Sequence, residues 1–351
     1  MSCRLGRPWA SLVALAFWHC CCGACAVTGK GTATLWASLH IRLAILAAIA
    51  VLSGILFMTI GVRGSWEFVM TFRGAKLATM ILVGTAIGTS TVIFQTLAQN
   101  RILTPSIMGF DSLYILIQSL LVFSIGVTAV ASMSTAMRFS LEAVALTLFS
   151  VFLYRMLFSG GTRGLHLLIL IGIVFGILFR SLSGFLKWLI DPTAFMVVQD
   201  RIFASFNRPD PDILMISAGV TATVFLLVWR ALPMLDVLAL GREQSTSLGL
   251  NHRRAVTIGL MAVSILVAVS TALVGPMLFL GLLAAHLAYL VIPSHRHALL
   301  LPAAALTATI CLIIGQTVLE HVLSYDTALG VVVEFVGGLF FLILLLRGRL
   351  Q

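Results

Sequence analysis

Charged side chains are scarce in this sequence. Only 10% of the 351 residues are Asp, Glu, Lys or Arg, whereas 60% are hydrophobic, and a soluble domain carries roughly 25% charged residues. A chain with so little charge cannot cover its folded surface with polar groups, which excludes an ordinary soluble protein. The strict polar–apolar alternation of a transmembrane β-barrel is also lacking, so that class is excluded as well.

The cysteines and the glycine-rich stretches exclude several kinds of chemistry. Of the six cysteines, five lie in the first 25 residues and Cys311 lies in an apolar run, so neither a disulfide framework nor a zinc site is expected. Gly23–Gly31 only approaches a phosphate-binding loop, because its spacing is wrong and Gly31 stands where Ser or Thr would bind magnesium. No clustered nucleophile or metal constellation is visible. We therefore predict no cofactor, no ATP-binding motif and no enzymatic activity.

Long apolar runs are what the sequence has in abundance. Runs of about 20 residues can each cross the hydrocarbon core of a bilayer as a helix. They predict an all-α membrane protein, a polytopic bundle of about ten transmembrane helices. The predicted spans are approximately 41–61, 74–97, 110–130, 138–158, 165–189, 213–232, 255–275, 277–292, 299–319 and 328–346. Small residues four apart, Gly84 with Gly88 and Gly172 with Gly176, predict close contacts between helices.

The distribution of charge predicts how the chain lies in the membrane. Residues 1–40 differ from the rest and are interpreted as an atypical extension, either a misassigned start or an extra hydrophobic segment. The membrane domain is then 41–349. With its amino terminus in the cytoplasm, most of the 22 Lys and Arg residues fall on the inner side and most acids on the outer side. Both ends of the domain would be cytoplasmic. The net charge of +10 is spread singly between spans, so nucleic acid is not an expected partner.

A polar interruption at 235–250, LDVLALGREQSTSLGL, is expected on the inner side. We predict one short amphipathic helix there, and an ordinary solvated loop is the alternative left open. The apolar face would carry Leu235, Leu238, Leu248 and Leu250, and the other face Glu243, Gln244 and Ser245. A helix with an apolar face can bind in the groove of a partner protein.

Four stretches, in order, resemble the permease subunits of ATP-driven importers for iron–siderophores and vitamin B12. In Phe72–Asp111, FRGAKLATMILVGTAIGTSTVIFQTLAQNRILTPSIMGFD, the matching positions are Arg73, Lys76, Gln95, Asn100, Pro105 and Gly109. Leu240–Leu250 resembles the family's coupling loop, Leu-Gly-Glu-x-x-Ala-x-x-Leu-Gly-Val. Gly275–Leu282 and Gly330–Phe341 resemble two later motifs, whereas Gln316 and Glu320 depart from the family's usual Asp and Arg. The loop around Pro105 looks most like the second permease of catechol-type siderophore importers.

The resemblance implies a type II ATP-binding-cassette (ABC) importer permease in a bacterial cytoplasmic membrane, moving an iron–siderophore complex inward. It also implies several partners: ATPase subunits that hydrolyse the ATP, a second permease subunit, a periplasmic or surface-anchored substrate-binding protein, and membrane lipid. The residues implied for ATPase coupling are Leu240, Gly241, Arg242, Glu243, Gln244, Ser245, Leu248 and Gly249. Those for docking of the binding protein are Arg73 and Lys76, to which we add Arg63 as a nearby cation. Those for the translocation path are Gln95, Thr96, Gln99, Asn100, Pro105 and Gly109.

Several alternatives remain open from the sequence. The path amides could instead cap the end of their helix, and vitamin B12, haem or another metal chelate could be the substrate. An ion- or proton-coupled transporter would need a carboxylate within the membrane, but Asp111 and Glu334 are expected near span ends. Gln118 and Gln316 are expected to form interhelical hydrogen bonds. His286 is expected to be structural, and both His295-x-His297 and the acidic stretch 191–212 are expected to be loops.

Overall fold

The computed structural model describes residues 39–60, 66–159, 165–207, 210–321 and 328–346. The described residues from 46 to 346 form one compact unit. Within the described ranges the regular structure is entirely helical. The elements in order are α1 (Leu39–Thr59), α2 (Trp66–Ala98), a 3-10 turn (Pro105–Met108), α3 (Phe110–Ser132), α4 (Thr135–Ser159), α5 (Leu165–Leu189), α6 (Pro192–Ile202), α7 (Pro211–Arg230), α8 (Leu232–Leu238), α9 (Arg242–Ser247), α10 (His252–Val274), α11 (Leu280–Val291), α12 (His297–His321) and α13 (Leu329–Leu346).

The described helices confirm the predicted all-α bundle. Eight of them are long and apolar enough to cross a membrane, namely α1 to α5, α7, α10 and α12, and α11 and α13 are shorter apolar helices. The predicted span at 277–292 is too long, because α10 ends at Val274 and is followed by Gly275, whose φ is +102°, and by Pro276. The chain becomes helical again only at Leu280.

The centre of the bundle is the antiparallel pair α2 and α12. A Cβ atom added at Gly88 would lie 2.5 Å from the carbonyl oxygen of Ala304, and one added at Gly84 would lie 2.8 Å from the amide nitrogen of Thr309. The two backbones therefore touch, which only glycine permits, and the predicted role of this pair is confirmed. The apolar core beside the contact includes Met80 of α2 and Leu312 of α12.

The chain after α2 turns back into the bundle. Met108 and Gly109, the end of the 3-10 turn and the residue before α3, lie against Gly172 and Gly176 in the middle of α5. Gly109 has φ +90°, a conformation that favours glycine. Because α3 begins at this depth, Asp111 is near a helix end but not near an end of the bundle, and both of its carboxylate oxygens are buried. Asp111 therefore lies near the end of its helix, as expected, but is buried within the bundle.

We name the two ends of the bundle after the helices that lie there. The α9 end carries α8 and α9 beside the last residues of α2 and the first residues of α12, and the α6 end carries the opposite ends of α2 and α12. The stretch 191–212, predicted to be a loop, contains α6 and the start of α7. Proline at the first position of both helices explains this, since the residue needs no intrahelical hydrogen bond there.

Two predictions about buried polar residues agree with the hydrogen bonds. The side-chain amide of Gln118 in α3 donates to Glu142 of α4 over 2.6 Å, an interhelical bond as expected. Glu142 itself is only 1% exposed, so both partners of this bond are buried. His286 is buried in α11, and its Nδ1 lies 3.0 Å from the carbonyl oxygen of Leu282 one turn earlier, which agrees with a structural role.

Candidate functional site: the α8–α9 segment

The predicted coupling stretch folds as two short helices and not as one. α8 ends at Leu238 and α9 begins at Arg242, with Gly241 between them at φ +95°. A helix cannot continue through a residue in that conformation, so the chain forms two separate helices. The prediction of a single amphipathic helix over 235–250 is therefore wrong. The residues expected on its apolar face do not share one surface.

The apolar residues of the segment have opposite environments. Leu235 and Leu238 are each 2% exposed and belong to the core, whereas Leu240 is 53% and Leu248 65% exposed. The charged and amide side chains of Arg242, Glu243 and Gln244 are exposed as well. Two exposed leucines among polar groups form a surface of mixed chemistry, which we call the α9 surface. Such a surface suits a protein partner, because apolar anchors supply affinity and a polar rim supplies register.

Ser245 was predicted on the solvent face and is instead fully buried. Its hydroxyl donates to the carbonyl oxygen of Arg242 over 3.0 Å and lies 3.0 Å from Nδ1 of His252, the first residue of α10. Gly249, at φ +82°, then turns the chain toward α10. Ser245 therefore fixes α9 onto the start of the next long helix and cannot touch a partner in this conformation.

The α8 helix is tied to the bundle by a group of contacts that the sequence did not indicate. The Oδ1 atom of Asp236 accepts hydrogen bonds from the backbone nitrogen of His297 at 2.9 Å and from its Nδ1 at 2.6 Å. On its other side, Nε2 of His297 lies 2.8 Å from the hydroxyl of Thr96 in α2. His297 was predicted to lie in a loop, but it begins α12 and is 2% exposed. Only the fold brings together three residues so far apart in sequence.

The predicted path amides are engaged at the end of α2. The Nε2 atom of Gln95 donates to the carbonyl oxygen of Arg101 over 2.6 Å, and that of Gln99 donates to Leu238 of α8 over 2.9 Å. Asn100 accepts a hydrogen bond from the backbone nitrogen of Ile102. Such bonds satisfy backbone groups where a helix ends, so these amides do act as caps. A cavity of about 170 Å³ is lined by these three residues together with Tyr289 and His295.

Pro105 and Gly109, the other two predicted path residues, lie deeper. Pro105 is buried in the 3-10 turn and lines a smaller cavity with Thr91 of α2 and Thr271 of α10. Gly109 touches the backbone of α5. Within the part of the chain that the structure describes, the six predicted residues thus form two groups at different depths and not one continuous wall.

The predicted docking cations lie at the α6 end, and both have partners inside the chain. Lys76 is 2% exposed, and its Nζ lies 3.1 Å from Oε1 of Glu320 and 3.3 Å from the side-chain oxygen of Asn207. Arg73 donates to the carbonyl oxygens of Phe57 and Ile60 at the end of α1. Its guanidinium is also 4.0 Å from Glu320. Arg63 lies outside the described residues.

The amide of Gln316 completes this group, which we call the α6-end cluster (Arg73, Lys76, Asn207, Gln316 and Glu320). Its Nε2 donates to Glu320 over 2.9 Å, one turn away in α12, and lies 3.4 Å from the side-chain oxygen of Asn207. Gln316 and Glu320 are two of the positions at which the sequence departs from the importer pattern that it resembles. Here they hold the cations that the family pattern assigns to docking.

Removal of Glu320 should therefore destabilise the protein strongly. The variant Glu320→Ala leaves the Lys76 ammonium buried beside a neutral amide oxygen, and breaking a buried ion pair on one side costs about 3–5 kcal/mol. We expect a clear fall in the melting temperature of the detergent-purified protein. The double variant Lys76→Met/Glu320→Met should recover most of that loss, because an apolar pair has no unpaired charge. Equal melting of Glu320→Ala and the unaltered protein would contradict this role.

The described residues contain no evident candidate for a metal-binding site. Within those ranges no group of three or more His, Cys, Asp or Glu side chains could hold a metal ion. His297 and His252, near the α9 end, instead form hydrogen bonds with Asp236, Thr96 and Ser245.

Comparison with known proteins gives a consistent result. The profile of the FecCD transport family matches residues 32–347. The chain is 43% identical over 304 residues to the petrobactin import system permease protein YclO of Bacillus subtilis, covering 85% of this chain and 96% of that one. It is 34% identical over 277 residues to the petrobactin import system permease protein FatC of Bacillus anthracis, covering 79% and 78%.

A solved structure shares the fold. It is described as an inward-facing conformation of a metal-chelate type ABC transporter, and it superposes with a TM-score of 0.77 at 19% sequence identity. The superposition covers 88% of this chain and 99% of that one. At such low identity the likeness concerns the arrangement of the helices only.

Proposed function

Since the chain belongs to the FecCD transport family, we propose that it is the transmembrane permease subunit of an ABC importer that carries an iron–siderophore complex into the cell. The family match over 32–347 and the 43% identity to a petrobactin permease support this function. Petrobactin is the first substrate to test, because both of the relatives compared above are petrobactin permeases. Haem and other metal chelates remain the competing cargoes within the same architecture.

The α9 surface is the observation that carries the mechanism. It is an exposed apolar and polar surface on a short helix pair, and the core leucines and buried Ser245 hold that pair on the bundle. We propose that an ATPase subunit binds there and that its closure on ATP moves the attached helices as rigid bodies, which switches access from one side of the membrane to the other. Energy would thus enter by contact, and the ATP would be bound and hydrolysed by the partner.

Binding of an ATPase to the α9 surface would also set the orientation of the chain in the membrane. The α9 end would face the cytoplasm and the α6 end the substrate-binding protein, in a bacterial cytoplasmic membrane. Docking through Arg73 and Lys76 would require the α6-end cluster to open, because Lys76 is buried there. The double variant Lys76→Met/Glu320→Met separates a role in docking from a role in stability. The variant should remain stable, so a loss of its affinity for the binding protein would report docking. A second permease subunit would complete the translocation path beside Gln95, Thr96, Gln99 and Asn100.

The test is gentle detergent purification of the tagged protein, followed by mass spectrometry and transport in vesicles. We expect an ATPase subunit with a phosphate-binding loop to co-purify, and uptake of iron-loaded petrobactin to require ATP. A second permease-like chain in the sample would establish a heterodimer. Uptake by vesicles without ATP, from protein that carries no ATPase, would overturn the proposal in favour of an ion-coupled transporter.

A further inference from the structure

Asp236 occupies an unusual position, because it is a residue of α8 that caps the start of a different helix. Its Oδ1 atom accepts from both the backbone nitrogen and Nδ1 of His297, the first residue of α12. A carboxylate can only accept, so Nδ1 of His297 carries the hydrogen. A negative charge at this place also faces the positive end of the α12 dipole. The contact is therefore strong and directional, although the Asp236 side chain remains 37% exposed.

A second contact ties the same helix to α2. The Nε2 atom of Gln99 donates to the carbonyl oxygen of Leu238, the last residue of α8. Gln99 has φ +50°, the one described non-glycine residue with a positive φ, and a long side chain adopts that conformation rarely. The backbone at the end of α2 is thus held in an uncommon conformation at the point where its side chain reaches α8.

The two helices that hold α8 are themselves joined. Nε2 of His297 lies 2.8 Å from the hydroxyl of Thr96, next to the end of α2. Further along, α2 and α12 touch through Gly84 and Gly88. At the opposite end they meet again in the ion pair between Lys76 and Glu320. A displacement of α8 would therefore move α2 and α12 together, because close-packed helices shift as units.

We propose that Asp236 and His297 are positioning residues that transmit the movement of the α8–α9 segment to the α2–α12 pair. The proposal deepens the proposed function, since it needs an ATPase to move the segment. The α9 surface binds the partner, and the Asp236–His297 contact passes the displacement on. Loss of the contact would leave ATPase binding and ATP hydrolysis in place but separate them from transport.

The test measures siderophore transported per ATP hydrolysed, in vesicles that contain the complete importer with its ATPase. For Asp236→Ala we expect the ATPase to co-purify and ATP hydrolysis to stay within about twofold, while transport per ATP falls at least about tenfold, the size of a typical coupling between sites. The matched control is Asp210→Ala. Asp210 also caps a helix start, by accepting from the nitrogen of Asp212, but it lies at the α6 end. In Asp210→Ala, the amount of siderophore transported per ATP should not change.

Substitutions of His297 give an independent measurement of the same contact. His297→Asn keeps an N–H group near the position of Nδ1 and should retain at least about half of the transport per ATP, whereas His297→Leu keeps only the backbone N–H bond to Asp236 and should lose most of it. An unchanged ratio in Asp236→Ala, an equal loss in Asp210→Ala, or equal behaviour of the two His297 variants would overturn the proposal. Loss of the ATPase from Asp236→Ala would overturn it too, by making Asp236 a docking residue. Absence of ATP-dependent transport in the unaltered complex would refute the proposed function itself.

Discussion

Replacing Leu240 and Leu248 together by aspartate is expected to abolish ATP-dependent transport while the protein still inserts into the membrane. Both side chains are more than half exposed, at 53% and 65%, so the bundle itself loses little. In an interface, each apolar anchor that is removed costs about 2 kcal/mol or more. Two such losses weaken binding of the ATPase roughly a thousandfold. The measurement is the amount of ATPase that co-purifies with the tagged variant, together with its uptake of the iron–siderophore.

A conservative pair of substitutions supplies the control. Leu240→Met/Leu248→Met keeps apolar side chains of similar volume and should retain most of the ATPase and most of the transport. Normal recovery of the ATPase with the aspartate variant would place the docking surface elsewhere. Deletion of Gln244–Leu248 is expected to be equally inactive, but it also removes the buried Ser245 and its contact with His252. The aspartate variant is therefore the cleaner test of the α9 surface.

The substitution Gly88→Val is expected to prevent the bundle from forming correctly. Even a single Cβ at this position would lie 2.5 Å from the carbonyl oxygen of Ala304, and backbone atoms cannot rotate away as a side chain can. Overpacking of a close contact costs typically about 1–3 kcal/mol, and a clash with backbone should fall at or beyond the upper end. We expect little monodisperse protein after detergent extraction, or a much lower melting temperature.

The same substitution at another glycine tests whether the close contact between α2 and α12 causes this loss of stability. Gly219 lies in α7, and a Cβ added there would have no heavy atom within 4 Å. Gly219→Val should therefore be extracted and melt like the unaltered protein. Similar behaviour of the two valine variants would contradict a backbone contact between α2 and α12 at Gly88.

The membrane fold could be predicted because its signal is local. An apolar run of about 20 residues has few options in a bilayer other than a helix, since every backbone group must be satisfied within the segment. The spacing of Gly84 and Gly88 likewise indicates a close contact without naming the partner helix. The sequence motifs located the α8–α9 segment and the end of α2 for the same reason, because each lies within a continuous stretch of chain.

Burial and pairing could not be predicted, because they depend on residues distant in sequence. Lys76 resembles a docking cation until Glu320, 244 positions later, is found 3.1 Å away. His297 looks like a loop residue until Asp236 meets it across 61 positions. Gly241 could have continued a helix, and only its φ of +95° divides the coupling stretch into α8 and α9.

The sequence by itself thus determined that this is a helical membrane protein, because composition and apolar run length suffice for that, and its local motifs carry the resemblance to the permease family. The tertiary structure decided which polar groups are exposed at the surface and which hold the bundle together. That division arises from packing: in a low-dielectric interior a charge or amide must find a hydrogen-bonding partner, and the fold alone brings that partner within about 3 Å.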